Sequence, residues 1–183
     1  ELRRGLGVDI VPPCVNRSAA TFTVDRGPRG GRLVYALGAL KNVGLDAMRM
    51  IVEARGDRPF ATLFDVARRV DLKRVGKRPL EMLARAGAFD QLDPNRRRVF
   101  DSLDALVAYS AAVHEAQGSA QVSLFGDGGD DLPEPRLPNV ADWLPTERLG
   151  EEHTAIGFYL SGHPLDDYMT ALRRQGVKTL AEV

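Results

Sequence analysis

Apolar residues recur three and four positions apart in several stretches of this chain, and this spacing predicts amphipathic helices. In residues 44–55, Ala47, Met48 and Ile51 follow the spacing, and Gly56 comes directly after them as a stop signal. Comparable patterns, with cap or stop residues, predict further helices in residues 63–69, 79–86, 93–117, 147–159 and 164–176. The sequence therefore indicates a mainly α fold.

Glycine and proline residues mark the segments between these helices. The segment VPPCVNRS is predicted to be extended or to form a turn, because each proline disfavours helix in the residue before it. DRGPRGGR is predicted to be a loop. Residues 118–143 are rich in Gly, Pro and Asp, and they are predicted to form a linker between a basic helical block and an acidic helical tail.

Charge is distributed unevenly, although the chain has 25 basic and 25 acidic residues. Residues 1–100 hold 20 basic and 11 acidic residues, a net charge of +9, and residues 101–183 hold 5 and 14, a net charge of −9. A basic half that contacts an anion is one interpretation, and an ordinary solvated surface is the other.

The cellular setting is indicated by three features of the sequence. The single cysteine, Cys14, excludes an internal disulfide and favours a reducing, cytoplasmic compartment. No apolar run approaches the length of a membrane span, so no membrane partner is expected. Because the chain begins ELRRGLG, without Met, we expect it to be a piece of a longer protein.

Basic residues stand at two predicted helix starts, where the positive end of the helix dipole makes them unfavourable. They are Lys77, Arg78, Arg96, Arg97 and Arg98. Cations next to free backbone amides at a helix N-terminus form a phosphate site, so we expect phosphate contacts at both places. The alternative is that these long side chains reach into water.

A tight turn followed by an amphipathic helix predicts a helix-hairpin-helix element in ALKNVGLDAMRMIVEAR, with Lys41, Asn42, Val43 and Gly44 as the hairpin. Asn42 tolerates left-handed backbone geometry, so it can replace a hairpin glycine. LFDVARRVDLKRVGKRPLEMLARAG is interpreted as a second, degenerate copy. Its basic hairpin residues are Lys73, Arg74, Lys77 and Arg78. Two hairpins in tandem predict salt-dependent binding of duplex DNA without base recognition.

Four strings together resemble one known family. They are ALGALKNVG, PFATLFDVARRVDL, KRPLEMLARAGAFDQL and EEHTAIGFYLSGHPLDDY, and they are similar to the bacterial DNA polymerase III alpha subunit, the replicative C-family polymerase. The resemblance implies an extended lead-in from the end of the fingers domain in residues 1–30 and a tandem helix-hairpin-helix DNA-binding domain in 31–117. It implies a flexible linker with a clamp-binding peptide in 118–145, and a helical connector toward an oligonucleotide-binding (OB) domain in 146–183.

The linker of this family carries a short peptide that docks on the sliding clamp. The matching residues here are Gln121, Val122, Ser123, Leu124 and Phe125. An unfolded peptide can insert a Leu-Phe pair into an apolar pocket while a glutamine amide fixes its register. The alternative is that Leu124 and Phe125 pack the linker onto the helical block.

The resemblance implies a parent DNA-directed DNA polymerase whose Mg²⁺ ions are held by acidic residues upstream of this region. This stretch shows no closely spaced acidic pair of that kind, and its three histidines show no metal-ligand spacing with Cys14. No catalytic residue, metal site or cofactor is therefore expected here. Expected partners are duplex DNA, the bacterial sliding clamp (the beta subunit) and, through the parent chain, other replisome subunits.

Two other classes of protein are open to the same sequence. A helix-hairpin-helix DNA repair enzyme would need a catalytic Asp soon after a Gly-Pro hairpin end, and no such motif follows Val43-Gly44. A protein-binding scaffold would account for the peptide at 121–125 but not for the basic half of the chain.

Overall fold

The computed structural model describes residues 9–27, 30–120 and 132–164, together with Tyr168 and Arg174. Within these ranges a small sheet precedes six α-helices, with a 3-10 helix at Leu37–Ala39 between sheet and helices. The strands are β1 (Asp9–Val11), β2 (Thr23–Gly27) and β3 (Gly30–Val34). The helices are α1 (Leu45–Arg55), α2 (Leu63–Arg69), α3 (Leu72–Val75), α4 (Lys77–Arg85), α5 (Arg96–Ala120) and α6 (Pro145–Ile156). The mainly α prediction is thus confirmed, with a sheet added to it.

The three strands form one sheet in the order β1-β3-β2. β1 pairs with β3 in parallel, with Asp9 opposite Arg32, and β2 pairs with β3 antiparallel, with Thr23 opposite Val34. This sheet was not predicted, because its strands are short and lack a run of alternating apolar residues. The central strand begins in the glycine-rich segment that was predicted to be a loop. The polar positions are used for pairing: Arg32 Nη2 lies 2.7 Å from Asp25 Oδ2 across β2 and β3.

The helix starts follow the local signals in the sequence. Thr62 Oγ1 accepts a hydrogen bond from the amide of Asp65 at 3.0 Å, while Asp65 Oδ2 accepts from the amide of Ala61 at 2.9 Å. This reciprocal cap begins α2 where the sequence predicted it. α4 begins at Lys77, two residues before its predicted start, so its first turn includes the basic pair and Pro79.

A single core lies between the helices, and the long helix α5 packs against α2, α3 and α4. The fully buried side chains of this core include Leu37, Met48, Ile51, Leu80, Leu83, Val99, Leu103 and Val113. Ser110 is a polar exception inside this core. Its hydroxyl accepts from the amide of Leu72 at 3.1 Å and donates to the carbonyl of Val70 at 2.9 Å. The buried amide of Leu72 and carbonyl of Val70 therefore both have a hydrogen-bond partner on α5.

The chain returns to this core after residue 131. α5 extends to Ala120, and residues 132–144 lie against the helical block instead of leading away from it. Asn95 Nδ2 donates to the carbonyl of Val140 at 2.7 Å, and the rings of Phe100 and Trp143 pack 5.7 Å apart. α6 then buries Ala155 and Ile156 in the common core. The predicted separation of a basic block from an acidic tail therefore does not hold for residues 132–164. The helix predicted in 164–176 lies mostly outside the described residues.

Candidate nucleic-acid interface

The first hairpin, residues 40–44, connects the 3-10 helix to α1. Asn42 has a φ of 58° and Gly44 a φ of 73°, so two left-handed residues reverse the chain within three positions. Val43, between them, is only 3% exposed and anchors the turn in the core. The sequence prediction that Asn42 replaces a glycine here agrees with this geometry.

The second hairpin, residues 72–76, consists of the short helix α3 and Gly76. It connects α2 to α4 and repeats the first hairpin in sequence. Leu-Lys-Asn-Val-Gly at 40–44 becomes Leu-Lys-Arg-Val-Gly at 72–76, an offset of 32 residues. Val75 is 4% exposed, and Gly76 has a φ of 93°. The sequence pattern predicted a second copy only as degenerate, although four of its five hairpin positions are identical to those of the first. This correspondence places Lys41 and Lys73 at equivalent positions.

Each hairpin ends in a glycine that is the N-cap of the next helix. Gly44 precedes α1 and Gly76 precedes α4, and neither has a side chain that could accept from the first-turn amides. Amides in the first turn of a helix lack intrahelical partners and carry partial positive charge, so an anion is favoured there. The two helix N-termini are thus the places where a phosphate group would fit best.

Four exposed basic residues, which we call the basic cluster, lie in the second hairpin and directly after it. They are Lys73, Arg74, Lys77 and Arg78. Lys77 Nζ lies 2.8 Å from Asp104 of α5, and this hydrogen bond raises the pKa of Lys77. Because the Lys77 side chain is 52% exposed and that of Asp104 is 78% exposed, water and salt screen the pair strongly. The cluster is therefore open to an anionic partner.

Arg96 lies inside the protein, and the prediction that it contacts phosphate must be corrected. Its side chain is 8% exposed, and Nη2 lies 2.8 Å from Asp90 Oδ2. Nη1 lies 3.4 Å from Oε2 of Glu152, a residue of α6 that is 2% exposed. Burial alone lowers the pKa of Arg96, but the hydrogen bonds and charges of Asp90 and Glu152 outweigh it and raise that pKa. A phosphate contact would require Arg96 to leave both carboxylates.

The other two arginines of the triplet also have acidic neighbours. Arg98 donates to Asp93 at 2.7 and 2.8 Å, and Arg97 lies 3.7 Å from Asp101. Burial alone raises the pKa of Asp93, but the hydrogen bonds from Arg98 and from the amide of Asn95 outweigh it and lower that pKa. These ion pairs explain why arginines are tolerated at this helix start.

The first amides of α5 are already occupied by side chains. The amide of Arg97 donates to Asp142 at 3.2 Å, and that of Arg98 donates to Asn95 at 2.9 Å. An anion at this helix start would have to displace a carboxylate. Of the two phosphate sites expected from the sequence, the geometry therefore favours the second hairpin.

The five residues of the expected clamp-binding peptide, Gln121, Val122, Ser123, Leu124 and Phe125, lie outside the described residues. The described residues that flank them belong to α5 and to the segment that returns to the core. Within the described ranges, no group of three or more His, Cys, Asp or Glu residues could hold a metal ion. The described helices also include none that is long and apolar enough to cross a membrane.

The repeated hairpins define the class of protein. A family model for the helix-hairpin-helix motif matches residues 7–99, and the chain belongs to this family. Nearly the whole chain is also similar to DNA polymerase III subunit alpha from several bacteria, which confirms the resemblance found in the sequence.

The relatives differ in identity, and each matches more than nine tenths of this chain. The subunit of Caulobacter vibrioides is 43% identical, with 98% of this chain and 15% of the relative covered. The subunit of Vibrio cholerae is 36% identical, with 93% of this chain and 15% of the relative covered. The subunit of Bacillus subtilis is 34% identical, with 98% of this chain and 15% of the relative covered. The chain thus spans about 15% of the length of these curated relatives.

Proposed function

We propose that this chain is the duplex-DNA-binding and clamp-binding region of a replicative DNA polymerase. The observation that carries the DNA-binding part is the exposed basic cluster at a glycine-capped helix N-terminus, within a repeated helix-hairpin-helix element. Backbone amides and four cations there suit the phosphates of one strand, and they make no demand on base sequence. The DNA-binding domain would comprise residues 31–117 together with the returning segment that packs on it.

Binding of this kind depends strongly on salt. Each phosphate that is neutralised contributes a slope of about −0.9 to log K against log salt concentration. The four cations of the basic cluster would therefore contribute a slope of up to about −3.6 if all of them reach a phosphate.

Clamp binding would come from Gln121, Val122, Ser123, Leu124 and Phe125. A short peptide with an aliphatic-aromatic pair binds with a Kd near 1 μM, about 8 kcal/mol. Because the DNA-binding residues are on the same chain, the clamp and the duplex it encircles would be bound together, and each contact would raise the local concentration of the other partner. Such weak contacts in combination would support processive synthesis and still allow exchange.

The remaining functions belong to the longer polymerase implied by the relatives. We propose that this polymerase uses Mg²⁺ at a palm site outside the present residues, and that it works in the cytoplasm with other replisome subunits. Residues 1–30 would join the fingers domain to the hairpins, and the end of the chain would lead toward an OB domain.

One pair of variants tests both halves of the proposal. Glu substitutions throughout the basic cluster should abolish binding of a fluorescent random-sequence duplex, measured by anisotropy at 50–200 mM salt, and leave clamp binding intact. Leu124→Ala with Phe125→Ala should do the reverse, measured by binding of the chain to an immobilised bacterial sliding clamp. A control of the same kind, with half the change in charge, is Arg17→Glu with Arg58→Glu, which reverses two exposed charges at the opposite end of α1 from the first hairpin.

The outcomes separate the candidate functions. Salt-insensitive or absent duplex binding by the unaltered chain would contradict the DNA-binding proposal. It would favour the alternative class, a protein-binding scaffold. Clamp binding that is indifferent to the double alanine variant would mean that Leu124 and Phe125 have a structural role.

A further inference from the structure

The two hairpins repeat each other in sequence, but their surroundings differ. Leu40 and Leu72 are both buried, as are Val43 and Val75, and both repeats end in a glycine with positive φ. The buried leucine and valine and the final glycine are therefore shared, but the backbones differ: Asn42 has a φ of 58°, whereas its counterpart Arg74 lies in the helix α3. The groups that each hairpin meets also differ.

The first hairpin already contacts the C-terminal end of α6. The amide of Lys41 donates to the carbonyl of Ala155 at 2.8 Å. The aliphatic end of the Lys41 side chain lies over Gly157, the C-cap of α6, because a Cβ added there would come within 2.9 Å of Cε and 3.2 Å of Nζ. A cation at this position stabilises the negative end of the helix dipole. Lys41 thus acts on α6 through both its backbone and its side chain.

The first turns of the two following helices have opposite charge. α1 begins Leu45-Asp46, and the Asp46 side chain is 95% exposed, with Arg49 3.2 Å away on the next turn. α4 begins Lys77-Arg78 at the equivalent positions. A carboxylate in the first turn suits the helix dipole but repels a phosphate placed at the same end. The first hairpin is therefore followed by a group that repels phosphate, where the second is followed by two cations.

We infer that the two hairpins have different roles: the second contacts the DNA backbone, and the first holds the end of α6. This inference rests on the proposed DNA-binding function and assigns it to one half of the repeat. Only the second hairpin of the tandem element would then bind phosphate. The first hairpin would instead bind the returning segment of the same chain.

The repeat itself provides the matched test, since Lys41 and Lys73 occupy equivalent positions. Lys73→Gln should lower the salt slope of duplex binding by about 0.9, which corresponds to roughly eightfold weaker binding at 0.1 M salt. Lys41→Gln should leave the slope unchanged and lower the Tm of the chain. Both variants are measured as the full 183-residue chain, by anisotropy with a random-sequence duplex and by thermal melting followed by circular dichroism.

A second variant keeps the inference falsifiable if Lys41→Gln disturbs the fold. Asp46→Asn removes an exposed carboxylate from the first turn of α1 without changing α6, and it should leave duplex affinity unchanged. Tighter binding by Asp46→Asn, or equal losses of slope for Lys41→Gln and Lys73→Gln, would overturn the inference. Failure of the unaltered chain to bind duplex would instead contradict the proposed function.

Discussion

Replacing Arg96 with Met should reduce stability severely and leave intrinsic DNA affinity unchanged. The substitution removes the guanidinium that lies between Asp90 and the buried Glu152. Glu152 would keep hydrogen bonds from the amides of Leu160 and Ser161 and from the Ser161 hydroxyl, but it would lose its cationic partner. Breaking a buried ion pair in this way costs about 3–5 kcal/mol.

This cost is large against the roughly 5–15 kcal/mol by which a domain is stable. With a urea m-value of about 2 kcal/mol/M, a loss of about 4 kcal/mol lowers the unfolding midpoint by about 2 M. The assay is urea unfolding at 25 °C, followed by circular dichroism. The neighbouring exposed Arg97 provides the control, since Arg97→Met should change the free energy of unfolding by no more than about 0.5 kcal/mol.

A rescue experiment separates the lost ion pair from general disruption of packing. In the Arg96→Met background, Glu152→Gln should restore part of the stability, because a neutral amide needs no counter-charge and can still accept from the amides of Leu160 and Ser161. An Arg96→Met chain with an unchanged urea midpoint but weaker duplex binding would refute this reasoning. It would restore the sequence-based prediction that Arg96 contacts phosphate.

Three further results are expected. Asp104→Asn should tighten duplex binding severalfold at low salt, because it frees Lys77 and removes a charge that repels phosphate, whereas Glu115→Gln, three turns along α5, should not. Asp93→Asn should flatten the acid unfolding profile. Because the pKa of Asp93 is lowered in the folded state, its carboxylate stabilises that state above the unfolded pKa of about 4, and this stabilisation is lost as pH falls through the folded pKa. Gly76→Ala should lower Tm, since a φ of 93° costs an L-residue about 1–2 kcal/mol, whereas Gly150→Ala in the middle of α6 should not lower it.

Local signals in the sequence were sufficient for most of the helices. Cap residues such as Thr62 and stop residues such as Gly56 act on neighbours a few positions away, so their effect can be inferred without the fold. The hairpin turns were found for the same reason. The sheet was missed because β1 and β3 pair through residues 23 positions apart, with Asp9 opposite Arg32, and short strands carry little pattern of their own.

The charges of the candidate site could be interpreted only in part. Lys77 and Arg96 both stand in the first turn of a helix, and the sequence makes them look alike. What separates them is Glu152, which lies 56 residues beyond Arg96 in the chain and reaches it only because α6 returns to the core. A buried partner this distant leaves no local signal, whereas the repeat of Leu-Lys-x-Val-Gly was present in the sequence and could have been recognised.

The return of residues 132–164 to the core means that the two sides of 121–131 are held together without the peptide bonds between them. The contacts that hold them together are non-covalent: the hydrogen bond from Asn95 to Val140, the ion pair of Arg96 with Glu152 and the packing of the buried Ile156 side chain. A cut introduced between residues 121 and 131 should therefore yield two fragments that elute as one particle in gel filtration and separate only in denaturant. Physically, the proposed clamp-binding peptide would lie on a stretch of chain on which the integrity of the particle does not depend.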